Sequence, residues 1–121
     1  MSYRAYRRRA EIFYKTLMSI PSPRLDGAYV AFNNIGFKHL IRKAKVRSKK
    51  EQMKRFNLLR TVPDILKDPD AIVSYRSEFR DGRMVHYWAF SKEKEGTTKI
   101  RVVVRQIGNG IKHFYSVMDD R

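Results

Sequence analysis

The side chains able to move a proton or hold an anion are few in this sequence, and their spacing groups them. There are three histidines and no cysteine. His39 lies within Gly36-Phe37-Lys38-His39-Leu40-Ile41-Arg42-Lys43. An imidazole, with an ordinary pKa of about 6.5, can give or take a proton near neutrality. The bland alternative is a surface histidine on a helix. His86 sits among Tyr87, Trp88 and Phe90, and His113 falls in an apolar alternation, so both are weaker candidates. Arg101 and Arg105 are four positions apart, so on a strand they share one face. A guanidinium fork binds two phosphate oxygens at once, and the Ser116 hydroxyl can donate to another. The bland alternative here is a pair of solvated arginines. No glycine-rich phosphate loop, His-x-x-x-His pair or nucleophile elbow occurs. No carboxylate cluster adjoins any histidine, so neither a metal nor another cofactor is expected.

The elements that must position these residues follow from periodicity. Tyr3, Tyr6, Ala10, Phe13, Tyr14, Leu17 and Met18 recur at helical spacing and give a helix over 3–20, capped by Ser2 and stopped by Pro21. Residues 21–27, rich in Pro, Ser and Gly, read as a loop, and 29–32 as a short extended piece. Asn33 or Asn34 caps a helix over 35–45 that carries His39. Ser48-Lys49-Lys50-Glu51 is a capping box. It opens a helix to Arg60 with Met53, Phe56 and Leu59 inward. Pro63 starts one more short helix, and Asp68-Pro69-Asp70 turns the chain. The period then falls to two. Residues 71–79, 84–91, 99–107 and 111–118 read as strands, separated by Arg80-Asp81-Gly82-Arg83, by 92–98 and by Gly108-Asn109-Gly110. Short connections make such strands antiparallel. The expected fold is α+β, with N-terminal helices packed on one face of a four-stranded antiparallel sheet. Its 121 residues suffice for one domain with a modest core. Residues 1–28 form a basic helix and loop, and 29–121 the α+β core.

The last hairpin can be read for sidedness. With Asn109-Gly110 at the turn centre, Arg105 faces Phe114, Val103 faces Ser116 and Arg101 faces Met118. One face then carries Arg101, Val103, Arg105, Lys112, Phe114 and Ser116. The other carries Ile100, Val102, Val104, His113, Tyr115 and Val117, and as the more apolar it should meet the helices. A three-residue turn would reverse the register of one strand and scatter this grouping.

Charge bounds the partner. There are 27 Lys and Arg against 12 Asp and Glu, a net +15. Residues 1–60 hold 16 basic and 3 acidic groups, whereas 61–121 hold 11 and 9, so the excess divides as +13 and +2. A field so localised attracts phosphate backbones through counterion release. The expected partner is therefore a nucleic acid, RNA above all, with tRNA and rRNA among the candidates. Lys38, Arg42, Lys43, Arg47, Lys112 and Tyr87 are the expected contacts around His39 and the arginines. Anionic lipid is the weaker reading, because no Trp/Phe/Leu stripe lies opposite a basic face. No apolar run is long enough to span a bilayer and no signal peptide is recognisable, so a cytoplasmic location is expected and no membrane partner.

Helical His39, Arg47 before the capping box, Leu58-Leu59, Val62-Pro63-Asp64-Ile65-Leu66-Lys67-Asp68-Pro69-Asp70, and the closing strands Lys99-Ile100-Arg101-Val102-Val103-Val104 and His113-Phe114-Tyr115-Ser116-Val117 form an ordered series. It resembles the small phage and toxin ribonucleases of the barnase–EndoU–colicin–RelE class, over roughly residues 30–118. The resemblance implies a metal-independent endoribonuclease in which the ribose 2′-hydroxyl attacks the adjacent phosphate. His39 is then the acid/base, Arg101 and Arg105 stabilise charge, and Ser116 binds a phosphate oxygen. A second acid/base is not obvious, with Lys112 and Tyr87 the available groups, and the basic first helix lies outside the shared pattern. An acidic inhibitor or immunity protein would be a natural partner. The rival from another class is a non-catalytic RNA- or DNA-binding module, for which the basic half and its aromatic residues would suffice. A third and weaker reading is an interaction protein seated on an acidic complex.

Overall fold

The computed structural model describes residues 2–41, 48–94 and 98–120, with only the backbone of Lys94, Thr98 and Asp120. Helix α1 (Tyr3–Leu17) begins where the Ser2 hydroxyl accepts from the Ala5 amide. It ends earlier than the sequence suggested. Met18 takes φ 53°, which breaks the helix, and Ser19–Ser22 forms strand β1. Pro21 is tolerated there because β1 is the outermost strand. A single 3₁₀ turn, Pro23–Leu25, leads into β2 (Ala28–Ala31). Asn33 then caps α2 (Asn34–Leu40), its side chain accepting from the Ile35 and Gly36 amides. The remainder of the helix expected over 35–45 lies outside the described residues, as do Arg42, Lys43 and Arg47.

Ser48 caps α3 (Lys49–Leu58) through the Glu51 amide at 3.1 Å. Glu51 does not reach back but pairs with Arg55 one turn on. After a 3₁₀ turn (Leu59–Thr61) comes α4 (Val62–Lys67) with Pro63 in its first turn. Four strands follow: β3 (Ile72–Arg80), β4 (Arg83–Lys94), β5 (Thr98–Ile107) and β6 (Lys112–Asp120).

The α+β class is as expected, but the sheet is larger. It has six strands in the order β1-β2-β6-β5-β4-β3. The antiparallel meander β3–β6 is its body, β1 and β2 extend it, and β2 runs parallel to β6. That contact is short, Val30 opposite Lys112 and Ala31 opposite His113, before the chain leaves the sheet for α2. Gly36 is where α2 meets β6. A Cβ there would strike the Phe114 carbonyl and lie 2.6 Å from the Tyr14 hydroxyl.

The register of the last hairpin needs correcting near its tip. Gly108-Asn109-Gly110 forms a three-residue turn, and Arg105 opposes His113 rather than Phe114. Beyond a bulge the expected pairs Val103–Ser116 and Arg101–Met118 return. The extra residue is Tyr115. Phe114 therefore points into the core, fully buried, while His113 joins the row of Arg105. Turn and bulge each shift the ladder by one residue, and the second shift cancels the first.

The core joins the helices to one face of the sheet. Ala10, Tyr14, Phe37, Leu40, Phe56, Leu59, Val62, Ile65 and Leu66 cluster with Phe90, Ile100, Val102, Val104, Phe114 and Val117. Ile20 and Leu25 belong to the same cluster. Tyr14 is central, with Phe32, Phe37 and Phe114 within 5.3–5.9 Å by ring centroids. Its hydroxyl donates to the Asn33 carbonyl, and burial pushes its pKa well above the ordinary value. Gln52 is buried where Met53 was expected to be inward, and accepts from the Tyr3 hydroxyl.

Candidate functional site

Opposite the helices, the pairing of β3–β6 sets side chains in transverse rows. The first runs Ile72, Ser91, Arg101, Met118; the second Ser74, Ala89, Val103, Ser116; the third Arg76, Tyr87, Arg105, His113. The middle row holds no side chain larger than valine, whereas the rows beside it carry Arg101, Met118, Arg76, Tyr87 and Arg105. The result is a trough of about 330 Å³. Arg101 and Arg105 stand on either side of Val103, their Cα atoms about 13 Å apart at the ordinary rise of a strand. A volume of this size is within the range of clefts that hold a small ligand or one nucleotide unit.

His39 closes one end. It reaches the trough because α2 docks on β6 past its short pairing with β2, where Gly36 permits close approach to Phe114. The imidazole stacks on Tyr115 with centroids 4.2 Å apart. The same tyrosine lies under Arg105, whose Cζ is 4.4 Å from the ring centre. Tyr115 thus links the histidine to an arginine through one ring, and it meets Tyr87 edge-on at 6.0 Å. Tyr87 is itself covered by Arg76, with Cζ 4.1 Å from its centre. The Tyr87 hydroxyl donates to Glu78 Oε1 at 3.2 Å, and Glu78 also pairs with Arg76 and Arg80.

His39, Arg101 and Ser116 therefore line one concavity together with Tyr87. Arg105 borders the adjoining hollow, with Arg80, Arg83 and Tyr87, and joins the first through Tyr115. Ser116 is almost fully buried, and its oxygen accepts from Arg55 Nη1 at 3.1 Å. Its own proton remains available to a ligand oxygen. Lys38 is exposed on α2. Lys112 is not on the arginine face: the shifted register carries it to the other side, 5.1 Å from the centre of the Trp88 ring.

His113, which the alternation alone would put on the apolar face, instead supports Arg105, whose Nε donates to its Nε2 at 3.0 Å. Burial, and then the Arg105 charge, hold the His113 pKa below its ordinary value, partly opposed by a hydrogen bond to the Ile111 backbone. The ring is a neutral acceptor toward Arg105 and fixes the guanidinium in place.

Tyr115, His113 and Arg55 carried no usable signal, since a bulge and a bond to a residue 61 positions away are tertiary facts. Arg76 did carry one. The Asp81-Gly82 turn, with both φ positive, sets Arg80 opposite Arg83 and hence Arg76 opposite Tyr87. Among the described residues no three His, Asp or Glu side chains come together as a ligand set, and no helix is long and apolar enough to cross a membrane. Comparison with protein-family models, curated proteins and solved structures gave no match for this chain.

Proposed function

We propose that the protein is a metal-independent endoribonuclease of the toxin or phage-effector kind, acting on RNA in the cytoplasm, as its resemblance to the barnase–EndoU–colicin–RelE class implies. The observation that carries this reading is the trough itself, where a histidine, an arginine and a serine distant in sequence meet on one open face. In the proposed reaction the 2′-oxygen bonds to the adjacent phosphorus and the bond from phosphorus to the 5′-oxygen breaks. A 2′,3′-cyclic phosphate and a free 5′-hydroxyl result. His39 takes the 2′ proton. Arg101 and Arg105 receive the charge that develops on the phosphoryl oxygens, and Ser116 donates to one of them. We assign the return of a proton to the leaving oxygen to Tyr87, which lines the same trough and in the free protein donates to Glu78. Lys112, on the opposite face, has no part in this step. An acidic inhibitor protein covering the arginines would be the complementary partner.

Incubating the protein with total RNA in EDTA, followed by end-group analysis, tests the reading. Cleavage leaving cyclic phosphate ends, lost in His39→Ala and Arg101→Ala variants that remain folded, is expected. Salt-sensitive RNA binding without any product, or equal cleavage by His39→Ala, would replace it with the binding-module reading.

A further inference from the structure

The helix-side face of the sheet extends beyond the helices. There Tyr75, His86 and Trp88 form a mutual cluster. Tyr75 and Trp88 are directly opposed across β3 and β4 with centroids 5.4 Å apart, His86 and Trp88 are 5.9 Å apart, and Tyr75 and His86 are 5.8 Å apart and hydrogen-bonded. Tyr75 is about half exposed, at 53 %. The ammonium of Lys112 lies over Trp88. Neither His86 nor Trp88 is needed by the reaction proposed above; Trp88 packs against the core on one side, yet with the exposed Tyr75 it keeps ring surface in water beside a cation.

We infer that this cluster is a stacking platform for unpaired bases, so that the substrate of the proposed nuclease is single-stranded RNA. The inference rests on the nucleic-acid reading and deepens it. Aromatic faces bind any base by stacking, and a nearby lysine can take the adjoining phosphate. The net charge of +15 favours a polyanionic occupant over a neutral one. Position supplies the remaining argument. β3 is the outer strand of the sheet; Tyr75 borders both the platform and the trough, and its neighbour Arg76 lines the trough. A flexible single strand can bend over β3, stacking bases on one side while its next phosphate enters the arginine trough on the other. A duplex is too stiff to make that bend and hides its base faces.

Trp88 is the chain's single tryptophan, so its fluorescence reports on the platform directly. The probe is a short single-stranded oligodeoxynucleotide, which has no 2′-hydroxyl and cannot be cleaved by the proposed route. The comparisons are its duplex and an abasic strand of equal charge. The base-bearing strand is expected to quench Trp88 and to bind about tenfold or more tighter than the abasic one. His86→Ala, and Trp88→Leu followed with a labelled strand, should remove that advantage while cleavage of a dinucleotide by His86→Ala stays unchanged. Equal binding of abasic and base-bearing strands, or duplex binding as tight as single strand, would overturn the proposal. So would a concentration-dependent Trp88 shift without nucleic acid that His86→Ala abolishes, because it would place a second copy of the chain on the platform. Failure of the nuclease reading is separable: RNA then gives no product, while quenching by the deoxy strand persists.

Discussion

Arg105 donates from Nε to Nε2 of His113 across 3.0 Å, one buried ring holding one cation of the trough side of the sheet. The histidine is neutral in the folded protein because burial and the neighbouring charge lower its pKa. The unfolded chain therefore binds more protons between that lowered value and the ordinary one near 6.5, and stability rises with pH through this window. Acidification from pH 7 toward 5 should lower the urea midpoint and loosen Arg105. His113→Gln, which keeps an acceptor and does not titrate, should flatten this slope. Equal slopes in both proteins would show that His113 is not the group responsible.

Tyr115 carries His39 on its ring and lies beneath Arg105. The contact is made by the ring, so Tyr115→Phe should keep kcat close to the wild-type value. Tyr115→Leu should lower kcat by about ten- to a hundredfold, the cost of a reactive group displaced by about 1 Å. Single-turnover cleavage of a short RNA measures both, and a Leu variant as active as the Phe variant would deny the ring its role.

Gly36→Ala sets two effects against each other. A helical alanine is favoured over glycine by about 1 kcal/mol. Its Cβ, however, would press on the Phe114 carbonyl and the Tyr14 hydroxyl, and overpacking of that kind costs about 1–3 kcal/mol. The expected result of chemical denaturation is net destabilisation, accompanied by a change in the Tyr115 environment as α2 lifts from β6. A more stable variant would mean that the close approach is not made.

Ser116 and Arg55 should behave as one unit. Removing the hydroxyl in Ser116→Ala leaves Nη1 of the largely buried Arg55 with only its longer bond to the Val117 carbonyl, at a cost of about 1 kcal/mol. Arg55→Met should cost a similar amount, and the double variant less than their sum. Additive losses in denaturation would show that the two do not share the bond.

Arg7 and Arg8 lie exposed on α1, remote in sequence from the trough. If the basic half only gathers RNA, replacing each by Gln should reduce the slope of log K against log salt by about 0.7 for a single strand. Turnover of a dinucleotide should not change. An unaltered salt slope would place the polyanion elsewhere.

The order of elements was readable wherever local chemistry decides it. Ser2, Asn33 and Ser48 cap as their positions imply, and Asp81-Gly82 turns the chain as its φ requirements demand. β1 was not readable, because Ser19-Ile20-Pro21-Ser22 has turn composition and becomes a strand only by pairing with Tyr29 and its neighbours. Of the site, Arg101 and Ser116 were legible because they lie on the regular side of the bulge. Lys112, Phe114, His113 and Tyr115 were assigned to the wrong faces because the local preference of Asn109-Gly110 for a two-residue turn is overridden. What overrides it is the place prepared for Phe114 among Tyr14, Phe32 and Gly36.

One chain segment is thus compatible with two hairpins. Cut away from the helices, a peptide of residues 98–120 has no cavity to receive a phenylalanine, and its own turn chemistry favours the uninterrupted ladder. In that peptide Phe114 and Lys112 would share a side with the arginines, while Tyr115 and His113 faced away. The chemistry proposed for this sheet therefore cannot be inherited by the sheet alone: docking of the helical half decides which side of β6 bears the reactive groups, so that loading the site and completing the fold are a single event.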